Sequence, residues 1–334
     1  MKQLGALSLD LDNLWSYLKI HGDSQWSDYP TYLPTVVPTI VQEIHRAGFR
    51  ITFFIVGRDA ERPENAEALQ GIVARGHDVG NHSYSHESWM HTYDREHVRD
   101  EIVRAEEAIV KTMGVTPSGF RGPGFAISDT ILDVLSERRY AYDASTLPTF
   151  IGPIARAYYF RGSKLSESER EERGGLFGQW SDGRRPNRPF WWNNIRNANE
   201  PESHPRRMLE IPVTVVPIVR IPFHLSYLLY IAGFSQDAAL AYFTVALELC
   251  RRTKTFPSLL LHPLDFIGEG EAPGLEFFPG MTMSGNRKRA FVRRVLATYE
   301  RHVDVVAMDQ AARALSALPT SPSTVAGVSP ISAT

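Results

Sequence analysis

Phe49-Arg50-Ile51-Thr52-Phe53-Phe54-Ile55-Val56 is a near-continuous apolar run. That is the pattern of a strand covered on both faces, as the strands of parallel sheets are. Upstream, residues 34–47 carry Val37, Ile40, Val41 and Ile44 at helical spacing, and residues 4–11 alternate as a strand. Downstream, residues 64–75 read as a helix with Leu69, Ile72 and Val73 on one side, followed by a short strand near 77–80. Residues 95–113 form a long amphipathic helix through Val98, Ile102, Ala105, Ile109 and Met113. Residues 119–121 read as a strand end, 129–138 as a helix and 140–142 as a short strand. This β-α-β-α rhythm argues for a parallel sheet, open or closed.

The rhythm breaks at about 146–207, where Pro, Gly, Arg and Glu are in excess, including the charged run 166–173 and Gly174-Gly175. Strand-like sequence resumes at 208–216, with a helix over 236–252, a strand over 258–262, a helix over 286–301 and a last strand over 303–306. Residues 319–334 are rich in Ser, Thr and Pro without apolar periodicity, so a disordered tail is expected over 317–334. A chain of 334 residues, 43% hydrophobic and 22% charged, has the composition of a globular protein. A single α/β barrel of about 250 residues fits within it with room for insertions. Lys and Arg total 36 against 38 Asp and Glu, which excludes the basic excess of a nucleic-acid binder. Cys250 is the one cysteine, so no intrachain disulfide forms, and Ala246, Leu247 and Leu249 around it read as a buried helix face. The N-terminal apolar run meets Asp10 and Asp12 too soon for a secretory signal, and no uncharged run reaches the ~20 residues of a membrane span. A cytoplasmic location is the expectation.

Along the first strand Leu7, Leu9 and Leu11 face one way and Ser8, Asp10 and Asp12 the other. Two carboxylates thus share one face at the C-terminal end of a core strand. Like charges this close raise each other's pKa, so such a pair persists where a cation or a function compensates. A pair of turn or capping aspartates is the alternative, since Asn13 follows. Asn81-His82-Ser83-Tyr84-Ser85-His86 places two imidazoles four apart directly after a strand. On one helical turn that spacing puts both rings on one face, within reach of one metal ion. Its place on a βα loop is the face where parallel barrels build active sites. Two histidines and one carboxylate, with a position left for water, describe a catalytic zinc site.

Leu9-Asp10-Leu11-Asp12-Asn13 and His82-Ser83-Tyr84-Ser85-His86 resemble the first two motifs of the polysaccharide deacetylases, carbohydrate esterase family 4 with the NodB homology domain. Phe120-Arg121-Gly122-Pro123-Gly124 resembles the third, Tyr142-Asp143-Ala144-Ser145 is similar to the fourth, and Leu260-Leu261-His262-Pro263 resembles the fifth. The matched positions run from Asp10 to His262 in the family's order. The fourth motif lacks the tryptophan that many members place there. Many members also have adjacent aspartates in the first motif, where this chain has Asp10-x-Asp12. That form, with Glu210-Ile211-Pro212-Val213-Thr214, is similar to a branch that includes the lipid-linked aminoarabinose deformylase.

The resemblance implies a distorted (β/α)7-type barrel over residues 1–316, interrupted by an insertion around 146–235. It implies Asp12, His82 and His86 as metal ligands and Asp10 as the general base. Arg121 would hold Asp10 ionised through charge-assisted hydrogen bonds. His262, ending an apolar strand, would be the general acid that protonates the leaving amine, with Asp143 orienting and charging it. The oxyanion would be held by the metal and a backbone N–H near Tyr84. Zinc is the default for nitrogen and oxygen donors, although cobalt, nickel or manganese can serve. A bound Zn²⁺ brings the pKa of its water to about 7, so a weak base suffices.

On the substrate side, Trp15, Tyr17 and Trp26 follow the first strand on the expected catalytic face, and Tyr84 and Pro123 lie within motifs there. Trp15, Tyr84 and Pro123 are candidate substrate contacts. The insertion adds Trp180, Phe190, Trp191 and Trp192 beside Arg184, Arg185, Arg188 and Arg196, with Trp191 and Trp192 as candidate contacts for a sugar phosphate. The apolar stretch 221–234 either covers the barrel as a buried helix or lies in a membrane interface. The expected reaction is hydrolytic N-deacylation, deacetylation or deformylation, of an amino sugar in a glycan or a lipid-linked sugar, with peripheral membrane contact through 180–234. Hydrolysis of a non-sugar C–N bond or an O-acetyl ester, and a non-catalytic carbohydrate-binding protein, are the alternatives, because fold alone does not settle function.

Overall fold

The structure, a computed structural model, describes residues 2–154, 156, 165–172, 174, 180–195, 206–276, 278, 280–318, 324–326 and 328. Its axis is β1 (Gln3–Asp10), whose last six residues are all buried. β2 (Thr52–Ile55) pairs in parallel with β1 and lies within the apolar run, buried at every position. β3 (Asp78–Asn81), β4 (Gly119–Phe120) and β5 (Tyr142–Asp143) add in parallel in chain order. The chain then departs and returns through β6 (Phe190–Ile195), antiparallel to β7 (Arg206–Glu210), and β7 docks parallel to β5. On the other side of β1 lie β8 (Ser258–Leu261), along its C-terminal half, and β9 (Val303–Val306), along its N-terminal half.

The ring β7-β5-β4-β3-β2-β1-β8 closes just past the end of β7. Thr214 N–H donates to the Ser258 carbonyl at 3.1 Å, and Ser258 N–H donates to Thr214 Oγ1 at 2.8 Å. Seven parallel strands in a distorted barrel are therefore the observed architecture, as expected.

Helices cover the outside. α1 (Leu14–His21) is capped by Asn13, whose Oδ1 accepts from Leu14 N–H at 2.8 Å. α2 (Leu33–Arg46), α3 (Gly57–Glu61) and α4 (Ala66–Ala74) follow. α5 (Arg95–Met113) starts on an Asp94 cap and stops at Gly114, which takes the left-handed conformation (φ 71°) that glycine adopts without steric cost. α6 (Asp129–Glu137) starts on Ser128. The largest core cluster packs Leu7, Leu9, Phe53 and Ile55 on the outer face of the sheet against α2, α4 and the helices Gln236–Thr253 and Gly285–His302. Each such fully buried apolar side chain contributes about 1.5–3 kcal/mol. Cys250 lies in this cluster as a core thiol, pushed up to about 12 by burial. Inside the ring, Ala6, Phe54, Tyr142, Ala144, Leu209 and Ile211 pack with Met308, Ala311, Ala312 and Leu315 of the helix Met308–Ser316.

The segment 221–234 is a covering element: helix Leu225–Ala232 buries Leu225, Leu228, Leu229 and Ala232 in the main cluster. Its exposed apolar side chains are Tyr230 and, beyond its end, Phe234. The tail 317–334 lies mostly outside the described residues. Within it, β10 (Thr324–Ala326) pairs in parallel with β6, and Val328 is buried with its N–H on Asp129 Oδ1 at 2.7 Å. Of the arginines beside the insertion's tryptophans, Arg196 lies outside the described residues. Among the described residues, no helix is long and apolar enough to cross a membrane.

Candidate active site

The strand registers bring the motif residues to one mouth. Leu9 pairs with Leu261, so Asp10 and His262, the next residues, leave neighbouring strands at the same level. Asn81 pairs with Phe120, which places His82 and Arg121 level in the same way. Ser8 and Asp10 face inward with Ala6, as alternation requires. There Arg121 Nη1 donates to Asp10 Oδ1 at 2.6 Å and to Ser8 Oγ at 3.0 Å, while its Nε donates to the Ala144 carbonyl at 3.0 Å. The guanidinium carbon stands 4.3 Å from the Phe54 ring centre, and the side chain is fully buried. Its third nitrogen, Nη2, has no protein partner. The Asp10–Arg121 pair is thus desolvated and tightly held.

Asp12 lies just past the end of β1. His86 Nε2 is 2.9 Å and His82 Nε2 3.4 Å from Asp12 Oδ1. Donor atoms of Asp12, His82 and His86 all lie within 4.8 Å of one another, and the three side chains are buried. The Arg121 carbonyl only accepts, so His82 donates Nδ1–H to it at 2.6 Å, and the lone pair of Nε2 turns toward Asp12. That is the tautomer a metal ligand needs. Burial alone would raise the Asp12 carboxyl, but the charges and hydrogen bonds of His86 and His82 outweigh it and hold it well below the usual range. For His82, burial favours the neutral ring, yet Asp10 and Asp12 together raise it. A buried two-nitrogen, one-oxygen donor set with a fixed imidazole tautomer fits a divalent cation.

The histidine pair does not sit on a helical turn. Ser83 (φ 60°) and His86 (φ 52°) take left-handed backbone conformations, and the loop is held from outside. Asn81 Oδ1 accepts from Ser83 N–H at 2.9 Å, Ser83 Oγ from His86 N–H at 3.2 Å, and Glu101 Oε2 from the N–H groups of Tyr84 and Ser85 at 3.0 and 2.8 Å. Positive φ at non-glycine residues costs of order 1–3 kcal/mol each, so these bonds maintain a strained loop that aims both rings at Asp12. Because Glu101 takes the Tyr84 and Ser85 N–H groups, the expected oxyanion donor near Tyr84 is already occupied.

Other expectations are corrected. Trp15 is fully buried, donating Nε1–H to Asp59 Oδ1 at 2.8 Å with its ring edge-on to His86 at 6.4 Å, so it braces the His86 ring and offers no face to a sugar. Tyr84 is buried, bonded through its hydroxyl to Glu61 and sandwiched with Arg58 and Arg104. Pro123 is buried in the turn after Arg121, where a Cβ on Gly122 would run into the Ala126 carbonyl. Trp192 is buried with Nε1–H on Glu210 Oε2 at 3.0 Å, so it offers no free face to a sugar phosphate, and Trp191 is half-buried against the cluster of Tyr142, Leu209 and Met308. Asp143 faces Ser145 and Glu210 instead of His262. Burial and the Glu210 carboxyl push it well above the usual range.

What stands beside His262 is Ser226, its Oγ 3.1 Å from Nδ1, and behind it Asp265. Sequence reasoning passed over both. Asp265 had a signal, an aspartate three residues after the histidine on a strand-to-turn junction. Glu101 also had one, a carboxylate between Val98 and Ala105 on the apolar side of α5. Ser226 had none.

The polysaccharide deacetylase family matches residues 24–142, a stretch that includes His82, His86 and Arg121. Over that stretch the chain is similar to polysaccharide deacetylases. The region is 29% identical over 100 residues to the peptidoglycan-N-acetylglucosamine deacetylase of Bacillus cereus, covering 30% of this chain and 35% of that protein. It is also 29% identical over 110 residues to the peptidoglycan deacetylase of Helicobacter pylori, covering 33% of this chain and 35% of that one. These matches span about a third of the length of each relative. A crystal structure of a provisionally assigned polysaccharide deacetylase from Mycobacterium smegmatis superposes with a TM-score of 0.60 over 97% of this chain and 94% of that chain, at 19% identity. The fold shared with that structure extends beyond the matched stretch, over the strands that carry Asp10 and His262.

Proposed function

We propose that this protein hydrolyses the N-acyl group of an amino sugar, releasing a carboxylic acid and the free amine. The observation that carries the reading is the Asp10–Arg121 ion pair beside the buried Asp12, His82 and His86 donors. One carboxylate is paired with a buried guanidinium next to the candidate cation site, apart from its three donors. Asp12, His82 and His86 would hold the ion, zinc by its donor set, which supplies Lewis acidity and an acidified water when bound.

The chain's own groups divide the remaining work. Arg121 occupies Asp10 Oδ1, which leaves Oδ2 as the oxygen that accepts the proton of the attacking water. His262, level with Asp10 on the neighbouring strand, protonates the departing nitrogen through Nε2, since Nδ1 faces Ser226. The burial of Asp10, Arg121 and the three donors excludes bulk water from these charges and strengthens their interaction. The lipid-linked variant of the reading rests on the apolar side chains left exposed along 218–234, namely Ile218, Val219, Tyr230 and Phe234.

The test is acid release, acetate or formate, from soluble amino and nucleotide sugars, from glycan polymers and from a polyprenyl-linked sugar extract, each with and without chelator. Chelator-sensitive release with a matching amount of new amine supports the proposal, and the active pool identifies the carrier. Release matched by new hydroxyl groups would make the enzyme an O-esterase. No release from zinc-loaded protein in any pool would overturn the reading.

A further inference from the structure

Helix Leu225–Ala232 comes from the inserted part of the chain, yet its second residue reaches the site. Ser226 Oγ lies 3.1 Å from His262 Nδ1 and 2.8 Å from Asp265 Oδ1. Asp265 Oδ2 accepts the backbone N–H of His262 at 2.7 Å. A hydroxyl carries one proton and a carboxylate accepts only, so the Ser226 proton goes to Asp265 and Oγ accepts Nδ1–H from His262. The turn Pro263–Asp265 is supported in turn by Lys288, fully buried, whose Nζ donates to the Leu264 carbonyl at 2.9 Å.

We propose that Ser226 and Asp265 are the positioning residues for His262, a relay that fixes its ring orientation and its tautomer, in the place the fourth-motif aspartate was expected to fill. The inference rests on the reading of His262 as the proton donor. It assigns the inserted helix a part in the proton transfer, because removing the helix would remove the hydroxyl between ring and carboxylate. In the relay the imidazolium's Nδ1–H stays on Ser226, and the proton that leaves is the one on Nε2. The leaving amine gains it, and the neutral ring is reprotonated from water. Aspartate acting through a hydroxyl stabilises the imidazolium without taking its proton.

Other groups also bear on this ring. His224, half-buried with Nδ1 unpartnered, stands with its ring 6.3 Å from that of His262 and stays neutral, pushed down to about 3 by burial and by His262 itself. Lys288 acts on Asp265, opposing the rise that burial gives that carboxyl. Tyr17 and Tyr32 also feel Asp265, and burial keeps both phenols protonated. Asp265 is therefore the carboxylate that reaches the ring through a hydrogen bond.

The experiment compares Ser226→Ala, Ser226→Thr and Asp265→Asn with the wild type in the full chain loaded with zinc. Two readouts are taken: steady-state kinetics on the active substrate pool, and ¹⁵N shifts of the His262 ring through a pH titration, assigned by the signal lost in His262→Gln. Ser226→Ala should lower kcat about 10- to 100-fold with KM within about twofold, and Ser226→Thr should recover most of it. In both Ser226→Ala and Asp265→Asn the neutral His262 ring should lose its single tautomer, its Nδ1 and Nε2 shifts moving toward each other. If Asp265→Asn fails to fold, Ser226→Ala carries the test alone. Unchanged ring nitrogen shifts in Ser226→Ala overturn the relay. If the wild type releases no acid at all while the ring nitrogen shifts move as expected, the deacylase reading fails and the relay stands.

Discussion

Replacing Arg121 with methionine should destabilise the fold by on the order of 4 kcal/mol, and the double variant Asp10→Asn/Arg121→Met should recover much of that loss. Arg121 is fully buried and makes three hydrogen bonds, one of them the 2.6 Å ion pair with Asp10. Breaking a buried pair by removing one partner costs about 3–5 kcal/mol, because the other charge is left uncompensated. The orphaned Ala144 carbonyl adds about 1–3 kcal/mol, while methionine partly refills the space on Phe54. In the double variant the stranded charge is gone, and only the neutral hydrogen-bond losses remain. Urea denaturation with chelator present reads the effect without a contribution from metal binding. The reasoning fails if Arg121→Met costs less than about 1 kcal/mol, or if the double variant is no more stable than the single one. Activity gives a separate signature: both variants should be inactive, so regained stability without regained turnover separates the pair's structural and chemical roles.

His86→Ala should abolish stoichiometric zinc binding, measured by elemental analysis after dialysis, because two donors do not make a closed set; retained stoichiometric zinc would refute the site. Glu101→Ala should weaken zinc about 10- to 100-fold without touching a ligand, since its carboxylate holds the Tyr84 and Ser85 N–H groups of the strained loop; zinc competition against a chromogenic chelator reads it, and unchanged affinity would mean the loop keeps its shape alone. Asp143 titrates higher in the folded than in the unfolded chain, so the folded state holds the extra proton and stability falls as pH climbs past the ordinary carboxylate range. Asp143→Asn should remove that slope and gain on the wild type in urea midpoints as pH rises above the ordinary carboxylate range, and parallel pH profiles would refute the reasoning.

The barrel was legible because its strands are short apolar runs joined by helices with clean periodicity. α5 begins and ends where the periodicity placed it, at Arg95 and Met113. α1 and Met308–Ser316 were missed for different reasons. The first is a short helix in which Trp15 and Tyr17 read as surface aromatics, and the second buries alanines that give little contrast. The metal-ligand candidates were legible by type and order. The physical reason given for the His82–His86 pair was not correct, since a left-handed loop and not a helical turn aligns them. Aromatic residues misled most: Trp15, Tyr84 and Trp192 looked like sugar platforms, and each is buried as a brace with its polar atom bonded to a carboxylate. The partner of His262 came from a position 36 residues away in sequence, on an inserted helix whose pattern announces only that it is apolar.

Helix Met308–Ser316 caps one end of the ring, and the interior above it is filled by Phe54, Tyr142 and Leu209. The barrel is therefore a plugged tube and not a channel. For an acyl hydrolase working at the other mouth, substrate would arrive and both products would leave by that same mouth.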